Sequence, residues 1–229
     1  MHKKGYKDSV GYELKDIILG GQDGLVNVLG LVLGVAAAVN DARIVIISGL
    51  AATFAESLSM AAVAYTSTKA AKEFYQSQLE KEQKLIEKHP AFEQREVRHI
   101  FLKKGFRGRL LDQVLRKITS SKRIWLDTLM AEELKMYPEE YGSPLKSGVV
   151  VGVASFIGSL IPLFPFFLLD IKSSMIVSLI LSVIMLFIIG ALKAKITVGS
   201  WKRSGIELAL IGTAAAMGGY LIGKLLGKI

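Results

Sequence analysis

The sequence predicts an all-α, polytopic membrane protein with five transmembrane helices and a cytosolic helical insertion domain. Three observations carry this. Hydrophobic residues make up 51 % of the 229 positions and the mean hydropathy is +0.41, too apolar for an ordinary soluble domain. Five segments approach the roughly 20 mostly apolar residues that a helix needs to cross a hydrocarbon core about 30 Å thick. Between the second and third of them the composition turns to charged, helix-forming sequence. The division expected is therefore 1–65 for the amino terminus and spans one and two, 66–147 for a cytosolic helical, candidate metal-binding domain, and 148–229 for spans three to five.

The amino-terminal segment carries Lys3, Lys4 and Lys7 followed by more polar sequence. No cleavable leader is legible there, and the first span is expected to be retained. Span one runs from Ile17 to Val39 and span two from Ile44 to Tyr65, joined by Asn40, Asp41, Ala42 and Arg43 as an antiparallel hairpin. Spans three and four, Gly148–Leu169 and Ser173–Leu192, are similarly joined by Asp170, Ile171 and Lys172, and Ile206–Ile222 is span five.

Lys and Arg are retained on the cytoplasmic side. Lys3, Lys4, Lys7 and Lys15 precede span one and Lys193, Lys195, Lys202 and Arg203 separate spans four and five, whereas the two hairpin loops carry only Arg43 and Lys172. The amino terminus is expected in the cytoplasm. Lys224 and Lys228 then fall on the far side, and a short re-entrant final helix is the rival to a fifth span. Gly219, Gly223 and Gly227, and likewise Gly148 and Gly152, repeat every four residues and permit close helix contact. Such faces suit packing within the chain or a homodimer. Five spans leave little room to enclose a pathway, which favours the dimer.

The insertion has no apolar run of spanning length. Thr66–Lys88 continues span two as one long helix, because no Gly or Pro intervenes before Pro90. Phe92–Lys104 reads as a helix ended by Gly105, followed by helices over Leu110–Ile118 and Ile124–Met136, the last stopped by Pro138. Val97, Ile100 and Phe101, then Leu111, Val114, Leu115 and Ile118, recur at helical spacing and should share a small core.

Composition excludes several chemistries. Cysteine is absent, so disulfides, thiolate metal sites and cysteine nucleophiles are ruled out, and His2, His89 and His99 are the only imidazoles. The net charge of +9 comes with no nucleic-acid-binding motif and suits anionic lipid, so no nucleic-acid partner is expected. No Walker loop, dinucleotide fingerprint, zinc-protease motif or serine elbow is present. ATP-driven pumping and hydrolase chemistry lack support; the expectation is a non-enzyme without cofactor, and a secondary transporter remains.

Ionisable residues inside spans are costly, about 2.5 to 3.5 kcal/mol on insertion scales, and invite a functional reading. Asp23 and Asn27 stand four apart on span one, with Gly30 and Gly34 continuing the stripe; Thr53, Glu56 and Met60 share a face of span two, with Ser59 beside it. Carboxylate, amide and thioether groups on two neighbouring helices suit a borderline ion such as Fe²⁺ or Mn²⁺ better than Mg²⁺ or Ca²⁺. Met60 taken alone is more often a packing residue, and Asp23, a turn and a half into its span, can instead snorkel to the interface. Glu207, at the expected start of span five, suits a helix amino terminus.

In the insertion Glu93, Glu96 and His99 are spaced three apart on one helical face. The Glu-x-x-His spacing is one by which helical bundles hold iron or manganese, with carboxylates from Glu80, Glu82, Glu87, Glu132 or Glu133 completing the shell. A mixed charged surface is the alternative, since Lys and Arg outnumber Asp and Glu there.

Gln-Asp-Gly-Leu-Val-Asn-Val-Leu-Gly at 22–30, Ala-Glu-Ser-Leu-Ser-Met-Ala at 55–61, and Tyr65 with Ser67, Thr68 and Lys69 resemble the vacuolar iron transporter family. The plan of two spans, a cytosolic helical insertion and three further spans resembles it over nearly the whole chain. The resemblance implies export of cytosolic Fe²⁺, and often Mn²⁺, in exchange for protons, by a homodimer with its pathway at the subunit interface. It places the family's span-one aspartate on Asp23, its span-two methionine on Met60, and its acidic metal-binding helices on Glu82, Glu93, Glu96 and Glu133. Leu85 and Leu129 depart from it, standing where a glutamate and a methionine are frequent.

The function expected is thus a proton-coupled divalent-metal transporter using Asp23, Asn27, Glu56 and Met60 as pathway, with Glu82, Glu93, Glu96, Glu132, Glu133 and His99 as candidate ligands at the cytoplasmic mouth. Metal and proton are its substrates, and a prokaryotic plasma membrane is the expected host. The alternative is a membrane-anchored scaffold or sensor whose basic helices bind lipid or a partner. A di-iron oxidase in the insertion is a third reading, with one Glu-x-x-His where such sites commonly use two.

Overall fold

The computed structural model describes residues 4–138, 141–196 and 199–227, and no strand occurs among them. Helices α1 (Lys4–Ala38), α2 (Ala42–Lys88), α3 (Pro90–Lys103), α4 (Gly108–Thr119), α5 (Lys122–Glu132), α6 (Pro144–Leu163), α7 (Ile171–Ile196) and α8 (Trp201–Leu226) follow one another, with a 3₁₀ turn at Phe164–Phe167. Two compact units result, one of Met1–Thr66 with Pro144–Ile229 and one of Ser67–Ser143. Lys3 and Lys228, which enter the charge argument, and His2 lie outside the described residues.

Five helices are long and apolar enough to cross a membrane, within Glu13–Ala38, Ala42–Lys88, Pro144–Phe167, Ile171–Lys195 and Trp201–Leu226. The chain is a multi-pass membrane protein. The last of these has 26 residues, about 39 Å of helix, which exceeds what a re-entrant segment needs. It also begins five residues before the expected Ile206. Ser200 precedes it in extended backbone, and the Trp201 ring, resting edge-on against Phe187 of α7 at 6.2 Å, winds the charged Trp201–Arg203 segment into the first turn. Glu207 therefore stands two turns inside α8, exposed, and not at its amino terminus.

In lipid, helices gain no hydrophobic drive to associate, so contact depends on surfaces small enough for backbones to approach. α1 supplies such surfaces on two sides. Gly20 and Gly24 lie against Val151, Ser155 and Ser159 of α6, while Gly30 and Gly34 lie against Gly219 and Gly223 of α8. A β-carbon at Gly223 would sit 1.9 Å from the Gly34 carbonyl oxygen, and one at Gly219 2.0 Å from that of Gly30. Gly148 and Gly152 of α6 similarly admit Ala61 and Tyr65 of α2. Both glycine faces, open in the sequence between internal packing and a dimer, are used within the chain. Leu25, Leu29, Val28 and Val32 of α1 are fully buried among them.

Pro162 inside α6 cannot donate to the preceding turn, and the helix passes into the 3₁₀ turn instead of reaching Leu169. Carbonyls freed at this end need donors, because the bilayer offers none. Ser178 of α7 donates to the Pro162 carbonyl at 2.6 Å and Ser174 to that of Pro165 at 3.1 Å; Ser174, Ser178 and Ser182 form a buried stripe on α7. Asp170 starts α7 by accepting the Ser173 amide at 3.1 Å, and this amide contact holds its carboxyl below the usual carboxylate range.

The Ser67–Ser143 unit packs the distal part of α2 with α3, α4 and α5 around Ile86, Val97, Ile118, Trp125 and Leu129, flanked by Phe101, Val114 and Leu115. Gly105, at φ +95°, ends α3 in the left-handed backbone that glycine adopts without strain. α5 ends at Glu132, earlier than the expected Met136. The Leu134 and Met136 amides turn back to the Leu129 and Met130 carbonyls with Lys135 at φ +57°, so the chain leaves the helix before Pro138 acts.

Candidate metal sites

The membrane site joins α1 to α2. The short Val39–Asp41 connection, in which Asp41 accepts the Arg43 amide at 2.8 Å, folds the two helices back on each other. Val28, Val32 and Ala36 then meet Val45 in one apolar cluster. Below this cluster the Asn27 amide donates to Glu56 Oε1 at 2.9 Å, and the Asp23 carboxyl is in hydrogen-bonding contact with both Glu56 and Asn27. Thr53 and Ser57 do not compete for these groups: buried, they donate to the Gly49 and Thr53 carbonyls of their own helix at 2.8 and 2.6 Å. Met60 lies one turn beyond Glu56, half-buried, on the same face. Asp23 and Glu56 are half-buried and Asn27 is exposed, so the polar patch opens toward the surface of the chain.

The second site lies in the Ser67–Ser143 unit. α3 starts with Pro90 at its first turn, where the missing N–H costs nothing, and its register puts Glu93 on the same buried stripe as Val97. Glu93 is 1 % exposed with Oε2 lacking any hydrogen-bond partner. One carboxylate oxygen each from Glu82, Glu93 and Glu133 lies within 4.8 Å of the others. Glu96, half-buried, hydrogen-bonds Glu133 and bears electrostatically on Glu82 and Glu93.

Loss of solvent is the main cause that raises the carboxyls of Glu82 and Glu93, followed by neighbouring acids, with Lys81 opposing it at Glu82. Glu133 is pushed up to about 8, first by desolvation of its carboxyl and then by the hydrogen bond and charge of Glu96. Four carboxyls gathered over an apolar floor repel one another once ionised. A divalent cation bound by oxygen removes that repulsion.

Not every expected ligand joins them. Glu132 is engaged by Lys104 and, at 3.6 Å, by Lys135, and these cations hold its carboxyl below the usual range. Glu87 is taken by Lys122. His99 is exposed and lines an open cavity of about 750 Å³ beside Glu96, Glu132 and Glu133; it is not among the three converging ligands. The sequence places Asp23, Asn27 and Glu56 on the facing helices of a tight hairpin, and the structure adds the contact between them. The signal for it was present in the short loop, which fixes which turns of α1 and α2 lie level.

Comparison with known proteins adds an independent finding. The model of the VIT family matches residues 14–224. Vacuolar iron transporter 1 of Tulipa gesneriana is 28 % identical over 212 residues, covering 92 % of this chain and 86 % of the relative. Vacuolar iron transporter 1 of Arabidopsis thaliana is 28 % identical over 217 residues, covering 94 % and 87 %. Protein CCC1 of Saccharomyces cerevisiae is 26 % identical over 223 residues, covering 93 % and 69 %.

Proposed function

The chain belongs to the VIT family, and from that premise we propose that it is a proton-coupled transporter exporting Fe²⁺, and Mn²⁺ as a second substrate, from the cytosol. The observation that carries the reading is the contact of Asp23, Asn27 and Glu56 between two membrane-crossing helices. Two carboxyls so close hold either a proton or a cation between them. Competition of proton and metal for that position gives exchange without ATP, since a metal ligand must be deprotonated. Asn27 fixes the Glu56 carboxylate by donating to it, and the Met60 thioether biases the path against hard ions.

The exposure of Asn27 supports a homodimer in which two such patches face each other and close the pathway. The second site then acts as a collector: Glu82, Glu93, Glu96 and Glu133 bind cytosolic metal ahead of the pore. The Lys-rich ends of the spans face the cytosol on this reading, whether the host is a plasma membrane or the membrane of an internal store.

The test is Fe²⁺ and Mn²⁺ uptake into sealed proteoliposomes containing a pH-sensitive dye. Metal entry with proton exit in the unaltered protein, lost in Asp23→Ala, is the expected result. Folded protein that moves neither metal under either pH gradient would overturn the transport reading and leave the membrane-anchored scaffold.

A further inference from the structure

α6 and α7 carry no ionisable residue between Lys146 and Asp170 or between Lys172 and Lys193. Five of their serines are nevertheless fully buried: Ser155 and Ser159 on α6, and Ser174, Ser178 and Ser182 on α7. Ser174 and Ser178 donate to carbonyls at the end of α6. The hydroxyls of Ser155, Ser159 and Ser182 have no hydrogen-bond partner among the described residues. Such a group costs about 1 to 3 kcal/mol when buried, and lipid supplies nothing to relieve it.

The α6 hydroxyls converge beside the membrane site. A β-carbon at Gly24 would lie 2.6 Å from Ser159 Oγ and 2.8 Å from Ser155 Oγ. Both hydroxyls are therefore aimed at the turn of α1 that carries Asp23, around one point and near enough for a single water molecule to bridge. Gly152, three positions before Ser155, lies against the Ser57 carbonyl, next to Glu56. α6 thus flanks both carboxyls.

Ser182 joins this pair by register. Ser174 meets Pro165 and Ser178 meets Pro162, so α6 and α7 run antiparallel. One turn on from Ser178 and one turn back from Pro162, Ser182 and Ser159 are level. On α1, Leu179 belongs to the cluster of Leu29 and Leu33, and Leu186 to that of Leu25, which sets Ser182 at the turn following Gly24. The five serines form one row, from the 164–170 connection inward to the level of Asp23.

Resting on the transport reading above, we propose that Ser174, Ser178, Ser182, Ser159 and Ser155, joined by water, are the route by which protons reach the Asp23–Glu56 pair from the Asp170 side of the membrane. Each hydroxyl oxygen accepts a proton from one neighbour and passes its own to the next, so none is left charged and no further reactant is consumed. Buried water needs two or more polar partners, and the three unpartnered hydroxyls supply them where the rest of both helices is apolar.

The test compares the unaltered protein with Ser159→Ala plus Ser182→Ala in sealed proteoliposomes, by two assays. One follows Mn²⁺ uptake and proton exit under a pH gradient. The other follows tracer Mn²⁺ exchanging for unlabelled Mn²⁺ at equal pH, which needs no proton. Alanine removes only an oxygen at each position. In the double variant, uptake with proton exit falls several-fold and tracer exchange is unchanged. Undiminished proton-coupled uptake would overturn the route and leave the transport reading standing. Equal loss in both assays would also overturn it, giving the serines to helix packing alone. Absence of tracer exchange in the unaltered protein would remove the transport reading and this route with it.

Discussion

Asn27 is the residue whose role is most open to direct measurement. Its amide holds Glu56 at 2.9 Å, and a hydrogen bond to a charged group contributes about 1.5 to 3 kcal/mol. Asn27→Leu should therefore weaken metal-driven flux by roughly 10- to 100-fold while the helical spectrum is retained, whereas Glu56→Gln should bring flux to the level of empty vesicles. Tracer Mn²⁺ uptake distinguishes the two. At the second site the sign of the pH dependence follows from Glu133. Its carboxyl moves from 4.5 to about 8 in the fold, so the folded state holds this proton more tightly than the unfolded chain. Stability from this group is full below about pH 4.5 and declines as pH rises toward 8. In EDTA the thermal midpoint should fall between pH 5 and 8, less steeply in Glu133→Gln; adding Fe²⁺ or Mn²⁺ at pH 7 should release protons and raise the midpoint. An equal slope in the variant would remove Glu133 from the cluster.

Among the elements, α8 meets α1 by backbone approach at Gly219 and Gly223, beside the side-chain packing of Leu208 and Ala216. At Gly223 and Gly219 any β-carbon collides with a carbonyl of α1, which cannot swing aside as a side chain does. Gly223→Val should cost about 1 to 3 kcal/mol or more, lowering the unfolding temperature in detergent, while Gly218→Val, where a β-carbon meets nothing within 4 Å, should leave it unchanged. These two glycines of α8 also show where sequence reading stops. Hydropathy placed all five spans because lipid imposes length and composition on each helix separately. A four-residue glycine period states that one face is flat; it does not say which helix lies on it. Glu93, Glu96 and His99 were legible as one helical face from their spacing, but spacing does not say how deep each sits: Glu93 is buried on the stripe of Val97, Glu96 is half-buried and His99 is exposed. The carboxylate cluster itself depends on the early end of α5, which brings Glu133 round and leaves Glu132 to Lys104, and that turn is set by Lys135 and the Met130 carbonyl with no glycine or proline to announce it.

For the whole molecule, the proposed dimer makes a geometric demand. A two-fold axis beside the Asp23 patch brings the two copies of Asn27 close together, and the chain contains no cysteine of its own, so a single introduced thiol reports cleanly. Asn27→Cys should form an intermolecular disulfide on mild oxidation, which requires Cα atoms about 4.4 to 6.8 Å apart, and Val153→Cys, exposed on α6, should not. A crosslink from Val153 alone would place the axis on the other face and remove the shared pathway.

The serine stripe of α7 also bears on how the chain is made. α6 leaves the ribosome before α7, and at that moment the carbonyls of Pro162 and Pro165 have no hydroxyl to accept from. A lone α6 would carry that deficit into lipid, so the two helices should leave the insertion machinery as a pair. A nascent chain truncated after Leu169 should stay crosslinked to the translocation channel, and one extended through Ser182 should be released to lipid; with Ser174→Val and Ser178→Val, release should come later.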